Sequence, residues 1–154
     1  MPASYGQASY YAEHAFLFTA ADGTRRFGRY RWIPEAGEAF ISPDNANKRS
    51  ANFLREELQS RLQKGPVVFR LLLQLAREGD ATDDVTALWP ADRPLVELGR
   101  LEVTGISGTG PADERRMVFD PTNLTDGIDL SADPFLLARS AAYSISYDRR
   151  SKGD

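Results

Sequence analysis

A helix is predicted to begin in the stretch Asp133-Pro134-Phe135-Leu136-Leu137-Ala138-Arg139-Ser140-Ala141-Ala142-Tyr143. Aspartate is a favoured N-cap, and proline suits the first helical position, where its missing N–H removes no hydrogen bond. Arg139 and Tyr143 lie four residues apart, so both side chains share one helical face. A guanidinium beside a phenol favours the phenolate, a hard anionic oxygen ligand suited to ferric iron. Spacing alone favours a simpler interpretation, a partly buried tyrosine beside an incidental arginine, because such pairs are common on any helix.

The composition excludes several classes of protein and site. The 154 residues suffice for one domain with a core, and 42% hydrophobic and 27% charged residues are an ordinary soluble profile. A net charge of −3 gives no reason to expect a nucleic-acid partner, and no apolar run approaches a membrane span. Without cysteine there is no disulfide, thiolate metal ligand or cysteine nucleophile. The single histidine, His14, excludes multi-histidine metal sites, and a catalytic triad would have to use it.

The first residues do not resemble a signal peptide. Residues 1–11 are polar and lack a basic region followed by an apolar one. We therefore expect a cytoplasmic protein, and a periplasmic location stays open because any signal would lie upstream of this chain.

A hairpin is predicted near the start of the chain. Residues 14–19 have the pattern of a strand, and Asp22-Gly23 is a strong signal for a tight turn. Residues 27–33 alternate with period two and form the return strand. Arg29 and Arg31 lie within that strand, where we expect their side chains to reach solvent at a sheet edge.

The middle of the chain predicts a polar turn, a helix and two further strands. Residues 42–47 form the turn, and residues 48–63 repeat apolar side chains at helical spacing. Residues 67–75 are almost continuously apolar, as in a central strand, and Gln74 within them needs a hydrogen-bond partner. Residues 95–106 predict another strand with a break or bulge at Gly99.

The last third of the chain has less periodicity. We assign residues 105–114 to a loop, 119–129 to irregular structure, 134–147 to the final helix and 148–154 to a frayed tail. The whole pattern defines an α+β fold with four or five antiparallel strands, a surface helix and a C-terminal helix. We see no internal repeat or domain boundary, so residues 1–154 are predicted to form one domain, and the long strands indicate part of a barrel.

Several stretches together resemble one family. The segment FDPTNLTDGIDLSADPFLLAR, from Phe119 to Arg139 and followed by Tyr143, resembles the proximal haem signature of the haem catalases without gaps. Supporting matches are the hairpin leading to Arg31-Trp32-Ile33-Pro34, the Gly65-Pro66 strand start with Gln74, and Trp89-Pro90. The resemblance is to the C-terminal half of a catalase, and more closely of a catalase-related peroxidase, the short branch of the family. It covers about residues 14–150, so the fold is expected to be the second half of the catalase-type antiparallel β-barrel.

The resemblance implies a role for each matching residue. Tyr143 falls on the proximal ligand of the family, a phenolate that binds haem iron, with b-type haem expected. Arg139 falls on the arginine that hydrogen-bonds this phenolate. His14 falls on the histidine that contacts the arginine, and Asp133 on the acid that completes this hydrogen-bond relay. Asp133 could instead be only a helix cap, and His14 an ordinary strand histidine with satisfied hydrogen bonds.

Two further residues match family residues less specifically. Arg150 falls on an arginine that binds a haem propionate, and Phe119 falls on an aromatic that lines the haem. The simpler interpretations are a solvated charge in the tail for Arg150 and ordinary core for Phe119.

The implied activity is that of a haem-dependent peroxidase or catalase acting on hydrogen peroxide or organic peroxides, with an unidentified electron donor. In the family, a distal histidine with a neighbouring asparagine moves the peroxide proton on the other haem face. Residues 1–13 contain no histidine, so this chain is expected to supply only the proximal side. A haem-binding or structural remnant without turnover is the alternative, and a barrel-like binder without haem is a third. We expect a homo-oligomer or association with the missing N-terminal half, because a half barrel would expose an apolar edge.

Overall fold

The computed structural model describes residues 1–108 and 110–152, apart from the side chain of Pro111. A short 3-10 helix, Tyr5–Gln7, precedes the other elements. These are β1 (Tyr10–Tyr11), β2 (Phe16–Thr19), β3 (Arg25–Pro34), α1 (Pro43–Asn47), α2 (Phe53–Leu62), β4 (Val67–Leu75), β5 (Leu95–Val103), α3 (Gly110–Arg116), β6 (Ile128–Leu130) and α4 (Pro134–Lys152). No described helix is both long and apolar enough to cross a membrane.

The first of two compact units contains Met1–Tyr11, Tyr30–Leu73 and Leu95–Ile106. Its strands follow the order β5-β4-β3, and β1 pairs antiparallel with β3 through Tyr10 opposite Trp32. Strand β4 supplies the buried side chains of this unit, among them Val67, Phe69 and Leu72. Its continuous apolar sequence predicted a central strand, and the strand covers the predicted residues 67–75.

Strand β5 lies at the end of the described strand order and has one described neighbour, β4. Two charged side chains of β5 form ion pairs. Glu97 pairs with Arg70 of β4 at 2.8 Å, and Arg100 pairs with Glu35 at 2.9 Å. Four apolar side chains of β5 are nonetheless between 42% and 48% exposed: Leu95, Val96, Leu98 and Leu101. Nine residues of edge strand with apolar side chains are a template for pairing with another chain.

The second unit contains Ala12–Arg29, Gln74–Pro94 and the described residues of Ser107–Asp154. Strand β2 pairs antiparallel with β3 through Phe16 opposite Gly28, and with β6 through Phe16 opposite Leu130. The predicted hairpin is confirmed, since Gly23 has a φ of 82° and Asp22 accepts a hydrogen bond from the Thr24 N–H at 2.8 Å. Leu136 of α4 is fully buried in this unit.

An irregular segment, residues 76–94, is held in place by side chains of the second unit. The Gln74 amide donates to the Pro90 carbonyl oxygen at 3.0 Å, which supplies the partner that this buried amide was predicted to have. The Trp89 indole is buried and donates to the Ala81 carbonyl oxygen at 2.7 Å. Arg93 binds Asp80 through two hydrogen bonds of 2.8 and 2.9 Å. The segment therefore has a defined shape without regular secondary structure.

The α+β class is confirmed, and most predicted elements are present with shifted ends. The predicted turn at residues 42–47 is wrong, because Pro43–Asn47 is helical with Ser42 as its N-cap, and the longer helix begins only at Phe53. Strand β5 ends at Val103 and continues through Gly99, so the predicted break is wrong, while the predicted bulge at Gly99 stays a prediction. The prediction of a single domain stays a prediction.

In the last third of the chain, the observed secondary structure differs most from the predicted one. Gly110–Arg116 is a helix within the predicted loop 105–114, and Ile128–Leu130 is a strand within the segment predicted as irregular. Helix α4 continues to Lys152, so residues 148–152 of the predicted frayed tail are helical. Residue 109 of the predicted loop and residues 153–154 of the predicted tail lie outside the described residues.

The exposed apolar edge of β5 predicts self-association. We expect the wild-type chain to sediment as a dimer or larger species at micromolar concentration, and Leu98→Glu to shift it toward monomer, because the charge opposes strand pairing. Leu88→Glu is the control, since Leu88 is 93% exposed and lies outside the strand. Sedimentation velocity measures both, and a monodisperse wild-type monomer would contradict this expectation.

The Asp80–Arg93 pair predicts a defined dependence of stability on pH. Hydrogen bonds from Arg93, and then from the Arg77 N–H, lower the pKa of Asp80 from its ordinary 3.8 to about 2. Because the folded pKa lies below the unfolded one, the pair stabilises the fold above the ordinary pKa, and this contribution is lost as the pH falls toward about 2.

Asp80→Asn should therefore be less stable than wild type at neutral pH, and the difference should shrink on acidification. Urea unfolding across this pH range measures it, with Asp83→Asn as the control at an exposed aspartate of the same segment. A difference between Asp80→Asn and wild type that does not change with pH would refute the assignment.

Candidate functional site

Asp133 caps helix α4, as its sequence predicted. Its Oδ1 accepts a hydrogen bond from the Phe135 N–H at 2.9 Å, and its carbonyl oxygen accepts one from the Leu136 N–H at 3.1 Å. Pro134 occupies the first helical position. Asp133 is 1% exposed and Leu136 is fully buried, so this end of the helix is fixed in the core of the second unit.

The other oxygen of Asp133 binds His14. The distance from His14 Nδ1 to Asp133 Oδ2 is 2.7 Å, and His14 is 3% exposed. Opposite an ionised carboxylate, which only accepts hydrogen bonds, Nδ1 is the donor. The second ring nitrogen, Nε2, is buried and has no hydrogen-bond partner in the part of the chain that the structure describes. A buried imidazole nitrogen of this kind is costly unless a donor or ligand reaches it.

Arg139 and Tyr143 meet one turn apart on α4. Arg139 Nη2 donates to the Tyr143 hydroxyl oxygen at 2.7 Å, and its Cζ lies 5.4 Å from the centroid of the phenol ring. Both residues are partly exposed, in contrast to the buried His14 and Asp133. A cationic donor pointed at a phenol oxygen stabilises negative charge on that oxygen.

The predicted four-residue relay is present as two separate pairs. His14 binds Asp133, and Arg139 binds Tyr143, both at 2.7 Å. Among the described residues, His14 Nε2 has no partner, so no hydrogen bond joins the two pairs through it. The contact between His14 and Arg139 therefore stays a prediction.

Arg150 lies on α4 beyond Tyr143, and Phe119 lies next to Asp120 in the chain. The Arg150 guanidinium donates to the carbonyl oxygens of Glu114 at 2.7 Å and Met117 at 2.9 Å, so it caps the C-terminal end of α3. Phe119 is 68% exposed, which excludes the simpler interpretation of an ordinary core residue. Their predicted roles toward a haem stay predictions.

The sequence did not predict how the loop of Phe119 is attached to α4. Asp120 Oδ2 accepts a hydrogen bond from the Ser140 hydroxyl at 2.6 Å, while Oδ1 accepts two from Thr122. Hydrogen bonds from Ser140, and then from Thr122, lower the pKa of Asp120. The Asp-Pro-Thr sequence is a turn signal that could have indicated the bonds to Thr122, but nothing local indicates Ser140.

The predicted solvent exposure of Arg29 is wrong. It is only 7% exposed, and its guanidinium lies 4.5 Å from the ring centroid of Trp89. It donates to the carbonyl oxygens of Ala87 at 2.6 Å and Asp84 at 3.1 Å. The prediction was wrong because these partners come from a segment more than fifty residues away along the chain, which covers the strand at this point.

These residues fit a haem on chemical grounds. Tyr143 offers one oxygen that accepts a hydrogen bond from a cation, and a phenol oxygen of this kind is a donor suited to ferric iron. Its ring is partly exposed, and Phe119 offers an exposed apolar face suited to a flat macrocycle. His14 Nε2 is one more buried polar atom, and none of the described residues forms a hydrogen bond with it.

The two bonds of Asp133 predict a large effect on stability. Asp133→Ala removes the cap of α4 and leaves the buried His14 Nδ1 unpaired, so we expect a loss of roughly 2–4 kcal/mol in the free energy of unfolding. Asp133→Asn keeps a side-chain oxygen for the cap and should cost about half as much.

Equilibrium urea unfolding measures these losses, and Asp129→Ala is the matched control. Asp129 forms only a surface ion pair with Arg25 at 3.6 Å, so its loss should stay within about 0.5 kcal/mol. An Asp133→Ala variant as stable as this control would show that the buried pair contributes nothing.

The sequence matches one family model and is similar to curated proteins along almost its whole length. The family model described as Catalase matches residues 1–153. A catalase-related peroxidase of Mycolicibacterium paratuberculosis is 40% identical over 159 residues, which cover 100% of this chain and 49% of that protein. A catalase-related peroxidase of Synechococcus elongatus is 36% identical over 152 residues, which cover 99% of this chain and 45% of that protein. The chain thus spans about half the length of the curated relatives it matches.

Solved catalase structures have the same fold as this chain. Catalase A from Saccharomyces cerevisiae superposes with a TM-score of 0.88 at 20% identity, over 97% of this chain and 33% of that one. A fungal catalase superposes with a TM-score of 0.87 at 22% identity, over 97% of this chain and 32% of that one. At these identities the likeness establishes the fold alone. Together with the family match over residues 1–153, it confirms the predicted resemblance, and the chain belongs to the catalase family.

Proposed function

We propose that this chain forms the proximal side of the haem site of a peroxide-acting oxidoreductase, similar to the catalase-related peroxidases. The observation that carries the proposal is the hydrogen bond from Arg139 Nη2 to the Tyr143 oxygen at 2.7 Å, on the helix that carries the family's proximal sequence. When bound, the haem would supply the redox chemistry by which peroxide is reduced.

Four residues of the chain have a defined role in the proposed site. Tyr143 would bind the iron through its oxygen, and Arg139 donates a hydrogen bond to that oxygen at 2.7 Å. Asp133 fixes the start of α4, which sets the position of both residues along the helix. His14 Nε2 accepts a hydrogen bond from Arg139 in the assembled site, which would satisfy the atom that is unpaired in the isolated chain.

Phe119 and Arg150 serve the periphery of the b-type haem. Phe119 lies on a loop that Asp120 ties to Ser140, the residue next to Arg139, so its exposed ring is held close to the ligand helix. Arg150 binds two carbonyl oxygens at the C-terminal end of α3. Its positive charge therefore lies near the C-terminal end of α4. A propionate is the anionic group that this charge would bind.

In the family that this chain resembles, a distal histidine performs the acid–base chemistry of peroxide cleavage. His14 is the single histidine of the sequence, and it is buried against Asp133. A group that moves the peroxide proton to the leaving oxygen has to reach the peroxide. We therefore propose that turnover requires the half of the family sequence that these 154 residues do not contain, and that the isolated chain binds haem without efficient turnover.

Titration with haemin, followed by absorption spectroscopy, tests the proposal. We expect a ferric tyrosinate spectrum for the wild-type chain and its loss in Tyr143→Phe, because the only proposed protein ligand has been removed. Tyr147→Phe is the matched control, one turn further along α4, and should bind haemin as the wild type does.

The second part of the test is peroxide consumption by the haem-loaded chain. We expect a rate close to that of free haemin, because the single histidine of the chain is buried against Asp133. An unchanged spectrum in Tyr143→Phe, or equal losses in Tyr143→Phe and Tyr147→Phe, would overturn Tyr143 as the ligand.

A further inference from the structure

One stripe of α4 carries Tyr143 together with two residues that bind the preceding segment of the chain. Ser140, Tyr143, Tyr147 and Arg150 follow one another at intervals of three, four and three residues, which places them along one side of the helix. All four are partly buried, whereas the residues between them are exposed. The stripe is therefore the side of α4 that packs against other parts of the second unit.

The hydrogen bond between Ser140 and Asp120 is the attachment nearest to Tyr143 in sequence. Its length of 2.6 Å is that of a hydroxyl bound to an ionised carboxylate, and such bonds are stronger than neutral ones. The other carboxylate oxygen accepts from the Thr122 N–H at 2.8 Å and from the Thr122 hydroxyl at 2.7 Å. The bonds to Thr122 are local, whereas the bond to Ser140 ties the residue next to Phe119 to the ligand helix, twenty residues away along the chain.

Arg150 forms the second attachment, at the far end of the stripe. Its guanidinium donates to two backbone carbonyl oxygens at the end of α3, at 2.7 and 2.9 Å. Residues 117–120 lie between the two attachments, and none of the described helices or strands includes them. The first three, Met117, Val118 and Phe119, are between 40% and 68% exposed. Since neither a ladder of backbone bonds nor burial fixes this segment, its position depends on its two attachments.

We propose that Ser140 and Asp120 are positioning residues of the haem site, and that their hydrogen bond sets where the exposed ring of Phe119 stands relative to Tyr143. The inference rests on the proposed function, because it is the haem that Phe119 would contact. A ring that is already held in place loses less freedom when the haem binds. The bond therefore raises the affinity for haem without changing the ligand to the iron.

Carbon-13 spectroscopy of the carboxyl groups measures the bond in the chain without haem. The hydrogen bond from Ser140 is the largest cause that lowers the pKa of Asp120 below its ordinary 3.8. In Ser140→Ala, which suits a helix, this pKa should rise toward its ordinary value. Ser140→Thr keeps the hydroxyl and should titrate as wild type. Ser144→Ala is the matched control one turn along α4, because the Ser144 hydroxyl donates within the helix, to the Ser140 carbonyl oxygen at 3.1 Å.

Titration with haemin measures the consequence for the site. We expect Ser140→Ala to bind haemin about tenfold more weakly than wild type, and Ser140→Thr and Ser144→Ala to bind it as wild type does. Asp120→Asn should also bind more weakly, because an amide offers one acceptor oxygen in place of two. The tyrosinate absorption of the loaded chain should be the same in all these variants, since each retains Tyr143. This readout separates a positioning role from a change at the ligand.

Equal affinities for haemin in wild type and Ser140→Ala would overturn the inference and leave the proposed function intact. So would an Asp120 carboxyl that titrates identically in both, because the bond would then be absent in solution. A loss of tyrosinate absorption in Ser140→Ala would also contradict it, since the effect would lie at the ligand. A wild-type chain that binds no haemin would instead overturn the proposed function, and this inference with it.

Discussion

The structure of the site depends on one buried carboxylate with two different partners. Asp133 accepts from the Phe135 N–H through one oxygen and binds His14 Nδ1 through the other. The first bond fixes where α4 begins, and the second fixes the ring of His14, which comes from the opposite end of the sequence. Since Arg139 and Tyr143 follow at set positions along the same helix, their location is decided by the cap at Asp133.

Burial divides the four relay residues into two pairs with different properties. His14 and Asp133 lie in the core of the second unit, where charge is weakly screened and an unpaired nitrogen is costly. Arg139 and Tyr143 are partly exposed, and they meet through the hydrogen bond to the Tyr143 oxygen. The buried pair therefore fixes the start of α4, while the partly exposed pair lies further along the same helix.

The sequence predicted the parts of the fold that local patterns determine. Strand β4 has the predicted bounds because nine nearly continuous apolar residues leave no other favourable placement, and α4 begins at Pro134 because its cap is encoded beside it. The short elements α1, α3 and β6 were missed, since five, seven and three residues carry too little periodicity to be recognised. The roles in the site came from the family resemblance, whereas the burial of Arg29 and the bond from Ser140 to Asp120 depend on contacts distant in sequence.

We propose that the Tyr143 oxygen binds iron while Arg139 donates a hydrogen bond to it. Resonance Raman spectroscopy of the haem-loaded chain, grown with ring-labelled tyrosine, reports on that bond directly. Vibrations of an iron-bound tyrosinate should shift with the label, persist in Tyr147→Phe and vanish in Tyr143→Phe. A haem-loaded wild-type chain without label-sensitive tyrosinate vibrations would contradict it.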